Sequence, residues 1–268
     1  MKKPGPVVQK LPGQGIVFRT LVLIGGNLGR GLAPLAAWFV FSLWGRPALL
    51  LLALPGLILA LALHRYGREV GITSRAGSGD ILASLRTNRG RLISLLVIVG
   101  SRSLVALPML TFLPIYWHTR YGATSDTAFL LSIMLLVGSV GNFLGGYFSD
   151  LVGRATVLVV SALLSGLVPW LFVHAGTGFW VWILIGLLGI TLYSTSSVTM
   201  VLGQQIFPQN KGMASGVALG VGNTLGAGGV GLVGLFAQRW GVPAALELLI
   251  PVVVLSIPFV YSFRQKAA

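Results

Sequence analysis

Eight stretches of the chain are nearly free of charge and long enough to cross a bilayer as helices. They fall near 16 to 43, 47 to 63, 92 to 117, 127 to 147, 156 to 174, 179 to 203, 213 to 236 and 243 to 262. A hydrocarbon core of about 30 Å needs about 20 helical residues, so each stretch except the second spans it without strain. The second, PALLLLALPGLILALAL, is short but almost purely aliphatic, and neighbouring helices or a locally thinner bilayer must accommodate it. The pattern predicts an all-α fold, a polytopic transmembrane helical bundle of about eight spans.

The polar positions divide this bundle. Residues 64–91 form the only long polar connection, and it carries Arg65, Arg68, Arg75, Arg86, Arg89 and Arg91. This is the expected linker between residues 1–63, a pair of helices, and residues 92–268, a complete six-helix unit. Placing the N-terminus in the cytoplasm puts those six arginines inside, together with Lys2, Lys3, Lys10, Arg154, Lys211, Arg264 and Lys266. Only Arg46, Arg120 and Arg239 fall in outside loops, while Arg19, Arg30 and Arg102 lie within spans. By the positive-inside rule both termini and the linker are expected in the cytoplasm.

An internal repeat sharpens the division. A single ungapped shift of 196 residues pairs Pro12 with Pro208, Gly26 with Gly222, Asn27 with Asn223 and Trp44 with Trp240. It also pairs Gly45 with Gly241, Pro47 with Pro243, Ala48 with Ala244 and Pro55 with Pro251. The first two spans therefore read as copies of the last two. Four spans lie between the copies, so the repeating unit is six helices, and an even unit keeps both copies parallel. Copies of spans three to six would precede residue 16, and the chain is expected to lack them.

Composition excludes a soluble fold. Hydrophobic residues make up 55% of 268 positions and charged residues 9%, with mean hydropathy +0.89, against about 25% charged in a soluble domain. The net charge of +14 is spread between apolar runs rather than gathered on one polar face, which argues against a nucleic-acid partner. The lipid bilayer is the expected surroundings, with the first span beginning near Ile16 as a membrane helix. Cysteine is absent, so no disulfide or thiolate metal site is available. Three scattered histidines make no metal centre. No Ser, His and Asp constellation or nucleotide-binding Gly-rich loop is present, so no enzyme activity and no cofactor are expected.

Several residues stand out from this apolar background. Arg102, in Val99-Gly100-Ser101-Arg102-Ser103-Leu104, lies well inside the third span, and Arg30 lies inside the first. A guanidinium at the bilayer centre costs at least about 2.5 to 3.5 kcal/mol and needs a watery cavity or a partner. No Asp or Glu occurs within either span, so Arg102 is expected to face a central cavity and attract an anionic group of a small-molecule substrate. Hydrogen bonds to carbonyls of adjacent helices are the alternative. Arg30 and the repeat-related Asn27 and Asn223 are further candidate substrate contacts. Glu247, the one carboxylate near a span interior, reads as an outer-interface residue or a proton-linked one.

Small residues form a second group. Gly29 and Pro34 in Gly26-Asn27-Leu28-Gly29-Arg30-Gly31-Leu32-Ala33-Pro34, and Gly216, Gly220 and Gly226 in span seven, are expected to let helices pack closely. The turn after span four, Gly145-Gly146-Tyr147-Phe148-Ser149-Asp150-Leu151-Val152-Gly153-Arg154, carries a third group. There Gly153 permits a tight turn and Asp150 sits within reach of bases or a helix N-terminus.

These motifs resemble those of the major facilitator superfamily. Gly146, Asp150, Gly153 and Arg154 match its cytoplasmic G-x-x-x-D-[RK]-x-G-R pattern, with Leu151 and Ala155 where fuller versions carry bases. The resemblance implies a conformational latch there. The span-one motif is similar to the Gly-x-x-x-Gly-Pro-x-x-Gly-Gly pattern of proton-coupled antiporters, which implies efflux. Gly-Gly-Asn-Leu-Gly in span one, Ser-Arg-Ser with Thr111-Phe112-Leu113-Pro114-Ile115-Tyr116 in span three, and the Asp150 motif together resemble the fosmidomycin-resistance branch.

The resemblance implies secondary transport of a small drug or metabolite, coupled to the proton gradient, by two halves rocking about a midplane site in the bacterial inner membrane. Fosmidomycin is a phosphonate, which a cavity arginine would suit. The chain corresponds to about helices five to twelve of twelve, so the expected partner is a missing N-terminal half or a second copy. The alternatives are a non-functional fragment of a transporter gene, an uptake transporter for an organic anion or sugar, and a membrane enzyme or assembly subunit.

Overall fold

A computed structural model describes residues 14–70, 88–122, 124–207 and 211–261. Much of the arginine-rich linker, the loop before span seven, the N-terminal Lys and Pro segment and the last residues lie outside the described residues. Helices appear where the apolar stretches predict them: α1 (Gln14–Trp44), α2 (Ala53–Val70), α3 (Arg89–Tyr121), α4 (Thr124–Val152), α5 (Arg154–His174), α6 (Phe179–Ile206) and α7 (Lys211–Trp240). The last span, α8 (Val242–Val260), is interrupted. No strand occurs among the described residues. Six helices, α3 to α8, contain windows long and apolar enough to cross a membrane. In the first two spans the described apolar pieces, Leu28–Trp44 and Arg46–Ala62, are shorter.

Prolines explain the interruptions. Pro251 and Pro258 have no N–H to give to the carbonyls of Glu247 and Val254, and α8 breaks at Leu248 and at Leu255–Ser256. The chain tightens there, with the Ser256 amide on the Val253 carbonyl at 3.0 Å. The entry to the second span is irregular too: a 3-10 segment, Arg46–Leu52, precedes α2.

Glycine seams set the packing. Helix α4 runs against α6, and α3 against α7, as the two most extensive pairings. A Cβ added at Gly141 would lie 2.5 Å from the Ile190 Cα and 2.8 Å from its carbonyl oxygen. Gly145 and Gly189 are similarly blocked by the backbones of Ser194 and Met134. Across the other seam, a Cβ at Gly226 would meet the Ser103 carbonyl oxygen at 2.7 Å, and Gly222 and Gly229 abut Val99 and Leu104. In lipid, where hydrophobic burial between helices gains little, close backbone approach of this kind supplies the dispersion contact.

Around these seams α3 to α8 form one bundle. Helix α1 joins it by packing on α4. Gly31 is the point of approach, lying against the Leu136 side chain, and Trp38 meets Phe129 with ring centroids 6.3 Å apart. Helix α2 rests chiefly on the 3-10 segment before it, and Leu57, Ile58 and Leu61 on it are exposed. Large apolar side chains such as Phe143 and Trp180 also line the bundle's outside, as a lipid-facing surface requires.

Candidate functional site

The interior of the bundle has two apolar clusters with a polar layer between them. Val105, Met109 and Leu113 of α3 belong to one, with Leu188 and Leu192 of α6, Val168 of α5 and Val253 of α8. Leu95 and Val99 of α3 belong to the other, with Val198 and Leu202 of α6, Leu158 of α5 and Val260 of α8. Between these sets each helix carries buried hydroxyl-bearing residues. They are Ser101 and Ser103 on α3, Ser161 on α5, Ser194 and Thr195 on α6, and Ser256 on α8, all buried. Ser161 and Ser194 share a hydrogen bond at 2.7 Å, linking α5 to α6.

Arg102 lies in this layer. Its Nη1 donates to the Ser196 hydroxyl and to the Leu192 carbonyl at 3.3 Å, one turn apart on α6. Its Nε is buried without a protein partner. Among the described residues no carboxylate pairs with it. The guanidinium is therefore held against α6 by neutral acceptors. Both alternatives raised for this residue, cavity-facing charge and anchorage to a neighbouring helix, bear on one side chain.

Tyr193 completes the arrangement. Its ring packs beside Gly138 of α4, where a Cβ would fall 2.6 Å from a ring carbon. Arg30 and Arg102 both lie within electrostatic range of its hydroxyl. Arg30, on α1, is exposed, whereas Arg102, on α3, is held against α6 inside the bundle. An arginine that no carboxylate neutralises can hold the oxygens of an anionic group, because its guanidinium presents a planar fork of donors.

The other candidates are dispersed. Asn223 is exposed on α7, away from the buried Gly222 and Gly226, and the Asn27 side chain lies outside the described residues. Gly29, Gly216 and Gly220 have open space at their Cα atoms, in contrast to Gly226. Pro34 lies within α1, partly buried. In the turn between α4 and α5, Gly153 turns the chain at φ 89 into α5, which Arg154 begins. Gly146 faces Ser197 of α6 and its carbonyl accepts from Ser149 at 2.7 Å. Asp150 is exposed and makes no ion pair among the described residues. At the other end of the bundle His174 and Glu247 approach to 3.7 Å, joining the end of α5 to the start of α8. No group of three or more metal-ligating side chains occurs among the described residues.

Tyr193, Ser196 and the hydroxyl layer were not singled out from the sequence. The available signal was the run Thr191-Leu192-Tyr193-Ser194-Thr195-Ser196-Ser197 in the middle of an otherwise aliphatic span.

A membrane-embedded bundle of this kind, with a charged midplane and a Gly-Asp-Gly-Arg turn, has a family. The profile of the Major Facilitator Superfamily matches residues 19–231, and the chain belongs to that superfamily. It is similar to the Fosmidomycin resistance protein of Escherichia coli (strain K12), at 25% identity over 238 residues. That match takes in 86% of this chain and 58% of the relative. A second relative, the Uncharacterized MFS-type transporter YfnC of Bacillus subtilis (strain 168), is 26% identical over 229 residues, 82% of this chain and 55% of its own length. The chain spans less than two thirds of either relative. Both matches support the fosmidomycin-resistance-like branch read from the motifs.

Proposed function

We propose that this chain is part of a secondary transporter that expels a small anionic drug or metabolite across the bacterial inner membrane, with the proton gradient as its driving force. The observation that carries the reading is Arg102, held inside the bundle by neutral acceptors of α6 and paired with no carboxylate among the described residues, with Arg30 in electrostatic range of the neighbouring Tyr193. Such a site stabilises phosphonate, phosphate or carboxylate oxygens in a low-dielectric setting, where charge-assisted hydrogen bonds gain strength. Arg30 and Arg102 stand on helices from opposite sides of the linker, so an anion held by both is released when α1 and the bundle part. That is the movement alternating access requires.

The Escherichia coli relative is named for resistance to a phosphonate, which agrees with an exported anion. Both termini and the linker are assigned to the cytoplasm by their basic residues. The partners of the site are further membrane helices, from a neighbouring polypeptide or a second copy, that complete the cavity wall. Cells expressing the chain, alone and with such a partner, test the reading. Raised tolerance of fosmidomycin that disappears with Arg102→Ala supports it, and equal tolerance with the variant refutes it.

A further inference from the structure

Beside Arg102 the bundle holds a cavity of about 20 Å³ bounded by α3, α5, α6 and α8. Ser101, Ser165, Thr195 and Ser256 contribute hydroxyl-bearing walls, and Ala162 and Val253 contribute apolar ones. Two polar atoms of this wall, Arg102 Nε and Thr195 Oγ1, are buried with no hydrogen-bond partner in the protein. The break in α8 at Leu255–Ser256 falls at the same wall. A water needs roughly 10 to 15 Å³ and two to four polar neighbours. The cavity meets both requirements and is too small for an organic solute.

We propose that this cavity is a hydration site in which one ordered water accepts from Arg102 Nε and bonds to Thr195 Oγ1. The guanidinium is then fixed on two edges, by α6 through Nη1 and by the water through Nε. Only the Nη2 edge remains to meet a ligand. The water also spans α3 and α6 at the level where α8 has lost a backbone hydrogen bond to Pro258. Thus the polar layer is a hydrated joint that holds Arg102 charged and aimed. The inference rests on the cavity and its orphaned atoms and does not depend on what the protein transports.

The test is solution NMR on the purified full chain in detergent micelles, with arginine labelled at Nε. The Arg102 Nε–H signal, assigned by its loss in Arg102→Lys, should show a cross-peak to a long-lived water. Ala162→Val, which fills the cavity without touching either orphaned atom, should remove that cross-peak while leaving the Nε–H signal observable. Thr195→Val should weaken it by shortening the water's residence. An Nε–H signal without any water cross-peak, together with raised thermal stability of Ala162→Val, would show a dry void and overturn the proposal. A signal that shifts when chloride replaces gluconate would also overturn it, by assigning the guest as an anion.

Discussion

Gly45 and Gly241, one repeat apart in the chain, adopt the same backbone conformation: φ 76 and ψ −173 for the first, φ 86 and ψ 161 for the second. Each amide closes the preceding helix onto the carbonyl four residues earlier, Phe41 and Ala237, at 2.9 Å in both cases. Each is followed two residues later by a proline that opens the next span. The correspondence seen as Trp-Gly-x-Pro-Ala in the sequence is thus repeated in the turn itself. This region of positive φ with ψ near 180° is open essentially to glycine alone, at a cost of order 1–3 kcal/mol for other residues.

Alanine at either position should therefore destabilise its turn by about 1–3 kcal/mol. Thermal unfolding of Gly241→Ala in detergent, with Gly228→Ala as an unhindered glycine control, reads the difference. A Gly241→Ala protein as stable as the control would count against the turn as described.

The glycine seams predict a graded series. Gly141→Ala forces α4 away from the Ile190 backbone and should cost about 1–3 kcal/mol as an overpacked contact. Gly220→Ala meets nothing within 4 Å and should be neutral, or gain up to about 1 kcal/mol from helix propensity. Unfolding midpoints of the two purified variants decide the order. If Gly220→Ala proves the more harmful when the chain is purified with a partner polypeptide, that face is covered in the assembly.

Helix α1 depends on Gly31 for its approach to α4. The chain has no cysteine, so Trp38→Cys with Phe129→Cys gives a clean cross-linking pair for side chains whose ring centroids lie 6.3 Å apart. The cross-link should form in membranes and fall several-fold when Gly31→Leu is added. Undiminished cross-linking would place the α1 contact elsewhere.

His174 and Glu247 offer a smaller test. Their side chains are 52% and 39% exposed, and an exposed pair contributes little to stability. Glu247→Gln should leave the unfolding midpoint nearly unchanged at neutral pH. A large loss would mean that the pair ties α5 to α8 more firmly than its exposure allows.

The helices were legible because apolar length is a strong signal: the stretches near 92 to 117 and 179 to 203 lie inside α3 and α6. The 3-10 entry to α2 was not, since its leucines are as apolar as any helical residue and nothing in their order marks a tighter turn. Glycine spacing identified a smooth face on α7 but not its neighbour. Gly226 meets Ser103 whereas Gly216 and Gly220 lie open. The most crowded glycines, Gly145 and Gly189, drew no notice for packing, because they pair across sequence separations that no periodicity records. Arg102 was visible as a charge in an apolar span. Ser196 and Tyr193 were not, because an ordinary serine and tyrosine become significant only when α6 is folded beside α3 and α4.

On the proposed function, Arg102, with Arg30 beside it, holds the exported anion. Uptake of radiolabelled fosmidomycin by inside-out membrane vesicles containing the chain and its partner, energised by a proton gradient, tests it most directly. Losing one side of a buried charge contact costs about 2–5 kcal/mol, so Arg102→Gln should raise the half-saturating concentration at least tenfold; Arg30→Gln, at an exposed position, should raise it less, and Asn223→Ala, on the exposed face of α7, should change it little. Energised uptake with an unaltered half-saturating concentration in both arginine variants would contradict the claim.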